Sequence, residues 1–238
     1  MKRTAEIIVA LDTPSRDRAL ELVRILRGQV SLFKIGLELF TAAGTAVVKE
    51  VKGLGVEIFL DLKFHDIPHT VARAVCEAAR LGAAMIDLHL SGGETMIRRA
   101  VDDLGAYCGL HGIRRPALLG VTVLTSLEAG DLSTMGIGRS PVEQVLLLAE
   151  IARKAGLDGV VAAGSELDAL RRRFGEEWIL VAPGIRPEGA AANDQARTLT
   201  PREAAEAGAD YLVLGRPITG AEDPAAATRA IQHTLRMR

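Results

Sequence analysis

The chain has 238 residues, of which 48% are hydrophobic and only 3% aromatic, so its core must be sizeable and mostly aliphatic. Its 29 basic and 30 acidic residues give a formal net charge of -1, which excludes a global cationic field for attracting nucleic acid or an anionic membrane. Any anionic ligand must therefore be held by local groups.

The first apolar run, residues 6–12 (EIIVALD), follows a basic opening and is stopped by Asp12, too early for a secretory signal. No later segment is long and apolar enough to span a bilayer. The two cysteines, Cys76 and Cys108, show neither a C-x-x-C spacing nor a disulfide framework, which is typical of a reducing compartment. These features predict a cytoplasmic protein with no membrane or nucleic-acid partner.

Short apolar, β-branched runs recur along the chain, with amphipathic helical patterns between them. In chain order these runs are 6–12, 30–36, 57–63, 85–91, 117–125, 158–164, 179–186 and 211–218. A spacing of roughly 30 residues per strand and helix indicates parallel pairing through right-handed crossovers, and eight such units close into a barrel. Because no break in composition marks a second domain, the prediction is an α/β fold, a (β/α)8 TIM barrel, in a single domain over residues 1–238.

Two helix starts carry the same local signal. Residues 140–143 (SPVE) and 200–203 (TPRE) each combine an N-cap residue, a proline in the first turn and a capping-box glutamate. Two connections, 126–139 and 187–199, follow the fifth and seventh predicted strands and are too polar and too rich in glycine and alanine for core elements. Long loops after strand carboxyl ends lie on the face where barrel enzymes carry their sites, so both are predicted to be functional.

Charged residues cluster at the predicted ends of the first three strands. Side chains alternate along a strand, so Asp61 and Lys63 point the same way, towards the barrel interior at its rim. The same reasoning places Asp12 at the end of the first strand and Lys34 near the end of the second. Asp66 lies just beyond, in the turn. Four charges of alternating sign from neighbouring strands predict an active site, because buried ion pairs are a poor source of stability.

These polar residues allow two other interpretations. A salt-bridge network could close the top of the barrel, since structural ion pairs are also found at such positions. A metal site could use His65, His69, Asp66 and His89. Side-chain alternation also places Asp87 and His89 on the inner face of the fourth strand. A lysine among these ligands would compete with a cation for the carboxylates, so no metal is predicted.

Two glycine and arginine strings indicate a phosphate site. Residues 184–189 (GIRPEG) and 214–220 (LGRPITG) follow the seventh and eighth strands, where barrels often bind phosphate. Glycine allows backbone N–H groups to approach the oxygens, while Arg186 or Arg216 supplies a bidentate charge.

With these residues in place, the chain resembles the orotidine 5'-phosphate decarboxylase family over essentially its full length. The shared strings are ALD at 10–12, FKIG at 33–36, DLKFHDIPHTV at 61–71, SGG at 91–93, VTVLTS at 121–126, PGIRP at 183–187 and LGRPI at 214–218. The D-x-K-x-x-D core is shared with sugar-phosphate enzymes of the same barrel superfamily, whereas the LTS, PGIRP and GRPI strings select the nucleotide decarboxylase. His69 stands where the resemblance favours asparagine.

The resemblance implies a role for each matching residue. Lys63 would be the catalytic lysine, with Asp61 and Lys34 completing the charged array and Asp66 contributed to the partner's site across a homodimer interface. The substrate would be a small nucleotide, and no cofactor is implied. Its ribose would contact Asp12, Lys34 and Thr70. Its pyrimidine would contact Thr125, with Ser126 nearby, and Pro183; its phosphate would be held by Arg186, Gln195, Gly215 and Arg216.

The chemistry of that family fits a charged lysine. Loss of CO2 from C6 of the pyrimidine leaves an electron pair in the ring plane, where the ring π system cannot absorb it. A fixed ammonium such as Lys63 could stabilise this charge and then protonate C6. Three alternatives stay open: a Schiff-base aldolase using Lys63, a metal-dependent hexulose-phosphate synthase, and a non-catalytic barrel that binds a phosphate ligand.

Overall fold

The computed structural model describes residues 4–187 and 199–236, and within them it has eight parallel strands that close into a barrel in chain order. Every neighbouring pair is parallel, and the last strand pairs with the first. This closed barrel confirms the fold predicted from the sequence. The strands are β1 Glu6–Ala10, β2 Leu32–Gly36, β3 Glu57–Phe64, β4 Met85–His89, β5 Ala117–Val121, β6 Gly159–Val161, β7 Ile179–Ala182 and β8 Tyr211–Leu214.

Helices connect the strands and cover the outside of the barrel. They are α1 Arg16–Leu26, α2 Leu37–Gly53, α3 Pro68–Arg80, α4 Glu94–His111, α5 Ala129–Thr134, α6 Pro141–Lys154, α7 Leu167–Phe174, α8 Pro201–Glu206, α9 Arg216–Thr219 and α10 Pro224–Arg236. The capping boxes predicted at the starts of α6 and α8 are both present, with Ser140 and Thr200 as the N-cap residues. No helix in these two stretches of chain is long and apolar enough to cross a membrane.

Strand alternation divides the core into two layers. One layer fills the barrel and includes Ile8, Phe59, Met85 and Leu119, which belong to one buried cluster. The other layer lies between strands and helices and contains the outward-facing residues of the same strands, such as Ile86. Polar groups near the strand carboxyl ends on the inner face therefore stand directly above an apolar barrel core.

The strands end earlier than the apolar runs predicted. β5 ends at Val121 rather than at residue 125, because Thr122 turns its hydroxyl to the carbonyl oxygen of Val161, 2.9 Å away. β8 ends at Leu214 rather than at residue 218, since the chain turns at Gly215 into α9. These early ends turn the predicted strand tails into the loops that surround the cavity described below.

The connection 126–139 differs in part from its prediction. Residues 126–139 were predicted to lack core elements, but they contain α5, whose Leu132 is only 1% exposed. An otherwise polar segment can form a short helix when a single leucine anchors it to the core. Of the second predicted functional loop, 187–199, residues 188–198 lie outside the described parts of the chain.

Candidate active site

A cavity of about 260 Å³ opens at the carboxyl ends of the strands. It combines charged residues from β1 to β3, apolar residues from β5, β6 and β8, and glycine and arginine residues from the last two strand ends. Its lining residues are Ala10, Asp12, Lys34, Phe59, Asp61, Lys63, Val121, Val123, Leu124, Thr125, Val161, Ala162, Pro183, Gly184, Arg186, Val213, Gly215 and Arg216. The predicted face of the barrel thus carries an open, mixed polar and apolar cavity.

Four charges predicted from strand parity form one continuous chain of ion pairs. Lys34 Nζ lies 3.0 Å from Asp12 Oδ1 and 3.1 Å from Asp61 Oδ2. The other oxygen of Asp61 accepts a hydrogen bond from the Lys63 ammonium. Asp61 therefore joins two lysines, and the order along the chain of contacts is negative, positive, negative, positive.

Burial and charge act in opposite directions on these groups. Burial alone would raise the pKa of Asp61, but the Lys34 ammonium, a hydrogen bond with Asp87 and the Lys63 ammonium together bring it well below its usual value. Burial alone would lower the pKa of Lys34, and the charges of Asp61 and Asp12 outweigh it, so this pKa is raised. The network thus keeps Asp61 as a carboxylate and Lys34 as an ammonium around neutral pH.

Lys63 has an unusual backbone. Its φ is 50°, the only positive value at a non-glycine residue among those the structure describes. A left-handed conformation costs such a residue roughly 1 kcal/mol, and here it coincides with a shift of register between β3 and β4, from Leu60 to Phe64. The shift redirects the strand at the residue whose ammonium meets Asp61.

Asp87, on β4, is the partner that sequence reasoning missed. Its Oδ1 accepts the backbone N–H of Lys63 at 2.9 Å, and its side chain is 0% exposed. Burial, and after it the charge of Asp61, raises the pKa of Asp87 well above its usual value. Parity had placed Asp87 on the inner face of β4, but a neighbouring strand must supply the contact that reveals its role.

Two arginines and two glycines lie where a phosphate was predicted. Arg186 is 8% exposed, and its backbone N–H donates a hydrogen bond to the carbonyl oxygen of Leu199 at 2.9 Å. Gly184 has a φ of 76°, a conformation that favours glycine. Both residues line the cavity together with Gly215 and Arg216.

Gly215 is also packed closely against the charged network. A β-carbon added there would lie 3.4 Å from Asp12 Oδ2 and 3.6 Å from the Ala10 side chain. The predicted pyrimidine contacts Thr125 and Pro183 line the same cavity, whereas Ser126 is exposed and is not among its lining residues.

Two predicted site residues that the structure describes, Asp66 and Thr70, do not line the cavity. Asp66 is exposed, and its Oδ1 accepts the N–H of Ile67 at 2.6 Å. Thr70 is exposed in the first turn of α3, and neither residue is among those lining the cavity. Gln195 lies outside the described residues.

Of the three histidines considered as metal ligands, only His65 and His89 lie close together. The rings of His65 and His89 lie 5.6 Å apart, centroid to centroid, while His69 is exposed on α3. Burial, followed by His65 and Lys63, lowers the pKa of His89. Over residues 4–187 and 199–236, no group of three or more His, Cys, Asp or Glu side chains is arranged to hold a metal ion.

Curated relatives and solved structures are similar to this chain over nearly its whole length. The orotidine 5'-phosphate decarboxylase of Nitrosococcus oceani is 51% identical over 228 residues, covering 96% of each chain. That of Actinobacillus succinogenes is 50% identical over 97% of this chain and 98% of its own. A crystal structure of the Lactobacillus acidophilus orotidine 5'-phosphate decarboxylase superposes with a TM-score of 0.85 at 38% identity, covering 98% of this chain and all of that one.

A protein-family comparison agrees with these matches. The model described as "Orotidine 5'-phosphate decarboxylase / HUMPS family" matches residues 5–231, which include every described residue of the charged network and the cavity. The chain therefore belongs to the orotidine 5'-phosphate decarboxylase / HUMPS family.

Proposed function

We propose that this protein converts orotidine 5'-phosphate to uridine 5'-phosphate and CO2, a step of pyrimidine nucleotide synthesis. The observation that carries the proposal is the Lys63 ammonium, bonded to Asp61 at the mouth of the cavity. The names of relatives about 50% identical over nearly the full chain support the same reaction. Membership of the family alone is less specific, because the family joins orotidine 5'-phosphate decarboxylases with a second group of enzymes.

The reaction needs a positive charge beside one ring carbon. When the bond from C6 to the carboxylate breaks, its electron pair stays in the ring plane, out of conjugation with the π system. Lys63 stabilises this pair as it forms and then transfers a proton to C6, while CO2 leaves. Asp61 holds the ammonium in place, and Lys34 fixes Asp61 from its other oxygen.

The magnitude of such an interaction is sufficient to matter. A unit-charge pair about 4 Å apart is worth on the order of 4 kcal/mol at an effective dielectric near 20. Expressed only in the transition state, this corresponds to roughly a thousandfold in rate. The charges are fixed before the substrate binds, so little reorganisation accompanies the reaction.

The remaining lining residues suit the rest of a nucleotide. Asp12 and Lys34 bind the ribose hydroxyls, with Thr70 as a further predicted contact. Thr125 and Pro183 contact the pyrimidine. The phosphate is held by Arg186, Gly215 and Arg216, which follow the last two strands. Gln195, outside the described residues, is a further predicted phosphate contact. Binding energy from the phosphate, remote from C6, can then help to order the reacting centre.

We also propose a homodimer in which Asp66 enters the partner's site. Its exposed position, next to Ile67 with 66% of its surface accessible, supports a contact made outside its own subunit. Mixing Lys63→Ala chains with Asp66→Ala chains tests this: each variant alone is expected to be nearly inactive, and the mixture regains activity through sites with both native residues. Mixed chains that exchange but stay inactive would remove the shared site.

The proposed setting is the cytoplasm. The two cysteines, Cys76 and Cys108, are buried free thiols, and burial raises the pKa of both, which supports a structural rather than a disulfide role. The substrate is a small nucleotide, with no cofactor, nucleic acid or membrane required.

The direct test follows the absorbance of the pyrimidine as orotidine 5'-phosphate is consumed. Turnover that survives EDTA, with uridine 5'-phosphate as the product, is the expected result. Activity lost to EDTA and found instead with a hexulose phosphate would favour the sugar-phosphate alternative. Covalent trapping of Lys63 by borohydride with a carbonyl substrate would favour an aldolase, although the ion pair with Asp61 argues against a neutral lysine. Tight nucleotide binding without turnover would leave a non-catalytic barrel.

A further inference from the structure

Asp87 is a titratable group in an apolar part of the barrel. It lies on β4 between Met85 and His89 on the inner face, and its partner in register on β5 is Leu119. The side chain is fully buried. The charged groups that face it come from β3, namely Asp61 and Lys63, while His89 follows it on its own strand.

The two oxygens of Asp87 have different surroundings. Oδ1 accepts the backbone N–H of Lys63 at 2.9 Å, whereas Oδ2 is buried with no donor within hydrogen-bonding distance among the described residues. A buried carboxylate oxygen without a donor is strongly disfavoured. The neighbouring charged group is the carboxylate of Asp61, which follows Leu60 on β3 as Asp87 follows its register partner Ile86 on β4, and a side-chain hydrogen bond between the two carboxyl groups shifts the pKa of both.

Two carboxyl groups can share a hydrogen bond only if one of them carries a proton. Asp61 is held as a carboxylate by ion pairs with Lys34 and Lys63. The proton therefore belongs to Asp87, and placing it on Oδ2 converts the unsatisfied acceptor into a donor to Asp61.

We propose that Asp87 is a positioning residue that acts as a neutral carboxylic acid, donating from Oδ2 to Asp61 while its Oδ1 holds the backbone N–H of Lys63. This inference rests on the proposed role of Lys63 and adds a residue that fixes both members of the catalytic pair. One side chain on β4 thereby sets the orientation of the Asp61 carboxylate and the left-handed backbone of Lys63.

Neutrality also preserves the charge balance of the site. Within one subunit Asp12 and Asp61 offset Lys34 and Lys63. An ionised Asp87 would add a third negative charge beside a cavity proposed to receive an anionic substrate. A neutral acid supplies the same hydrogen bonds without opposing that binding.

The first test uses two substitutions that the proposal separates. Asp87→Asn keeps an oxygen for the Lys63 N–H and an N–H donor for Asp61, so kcat and KM should stay within about threefold of wild type. Asp87→Ala removes both bonds, and kcat should fall at least about tenfold with a smaller change in KM. An Asn variant as impaired as the Ala variant would overturn the proposal.

The pH profile supplies a readout that simple loss of packing would not move. The hydrogen bond from Asp87 helps to lower the pKa of Asp61, so its removal should raise that pKa and move the acid limb of the free energy of unfolding to higher pH in Asp87→Ala. The Asn variant keeps the donor, and its acid limb should coincide with that of wild type. An unmoved limb in the Ala variant would contradict the bond to Asp61.

The second test does not depend on activity. The infrared difference spectrum of wild type minus Asp87→Asn at neutral pH should contain the carbonyl band of a protonated carboxyl group, and a carboxylate band in its place would overturn the proposal. If that protonated band is present but orotidine 5'-phosphate is not consumed, the neutral Asp87 stands and the proposed reaction fails.

Discussion

Both ends of the barrel carry ion pairs. The paired side chains differ in the other groups that they contact. At the carboxyl ends of the strands, the charged side chains bond to one another around an open cavity: Asp12, Lys34, Asp61 and Lys63. At the amino ends, two partly buried carboxylates, Asp158 and Asp210, also accept a backbone hydrogen bond from near the start of a strand.

Arg171 is the clearest case at the amino ends. It is 9% exposed and donates to the carbonyl oxygens of Gly208, Gly175 and Trp178 as well as to Asp210. Asp210 in turn accepts the N–H of Leu180, at the start of β7. This arginine, on α7, therefore ties together the two connections that lead into β7 and β8.

Asp158 repeats the arrangement two strands earlier, with an N–H of β5. It accepts the N–H of Leu118 and pairs with Arg115, each at 2.7 Å. A cavity of about 620 Å³ also lies at this end, larger than the one at the carboxyl ends. Neither buried charge nor cavity size therefore identifies the site. At the carboxyl ends the buried Lys34 and Asp61 pair with other charged side chains around the cavity, whereas at the amino ends the buried Arg171 bonds mainly to the backbone. We therefore expect substitutions at the carboxyl ends to lower activity and substitutions at the amino ends to lower stability.

The largest effect is expected from Lys63→Ala. Removing the ammonium should lower kcat for orotidine 5'-phosphate by at least about a thousandfold, with the folded state retained by circular dichroism. Lys52→Ala is the matched control, because Lys52 pairs with Glu57 at the opposite end of β3. Its kcat should match wild type, and equal losses in the two variants would erase the distinction between the ends.

Arg171→Met should lower the stability of the protein and leave its activity unchanged. It leaves Asp210 and three carbonyl groups without their donor, which should lower the free energy of unfolding by roughly 3 kcal/mol and Tm by about 6 to 12 °C. The kcat of the folded fraction should be unchanged. Arg172→Met, which removes an exposed arginine paired with Asp168 one turn away, should cost less than about 0.5 kcal/mol.

Arg216→Ala tests the phosphate end of the cavity. Loss of a charge-assisted contact should lower kcat/KM by roughly 10- to 100-fold without a change in Tm. Arg202→Ala, at an exposed pair with Glu206 on α8, should leave kcat/KM as in wild type. Kinetics near normal for Arg216→Ala would withdraw this residue from the phosphate site.

The smallest effect expected is a change in pH dependence. Because the pKa of Asp61 is lower in the folded protein than its usual 3.8, its ionised form stabilises the fold above that value, and this contribution is lost as the pH falls through the folded pKa. Lys34→Met removes the largest charge that lowers this pKa. The acid limb of stability should then move to higher pH; a limb that coincides with that of wild type would contradict the Lys34 pairing.

The barrel and its four rim charges follow from the sequence because both depend on periodicity. Eight apolar runs at regular spacing indicate the fold, and alternation along each strand places Asp12, Lys34, Asp61 and Lys63 on the inner face. These features need no knowledge of distances between strands.

Other features depend on contacts that periodicity does not contain. The left-handed backbone of Lys63 arises at a shift of register between β3 and β4, and strand alternation assumes regular pairing. The state of Asp87 depends on full burial beside Asp61, a property of two strands together. The early end of β5 and the formation of α5 likewise follow from tertiary bonds of Thr122 and burial of Leu132.

The central claim is that an ammonium at position 63, beside Asp61, carries the reaction. Lys63→Cys offers the most direct test, because 2-bromoethylamine rebuilds a lysine-like ammonium at that position and iodoacetamide adds a neutral group of similar length. Cys76 and Cys108 are buried with raised pKa values, so they should react slowly. We expect the substitution to lower kcat by at least about a thousandfold and the amine reagent alone to restore most of it. Equal recovery with the neutral reagent, or an unmodified variant as active as wild type, would contradict the central claim.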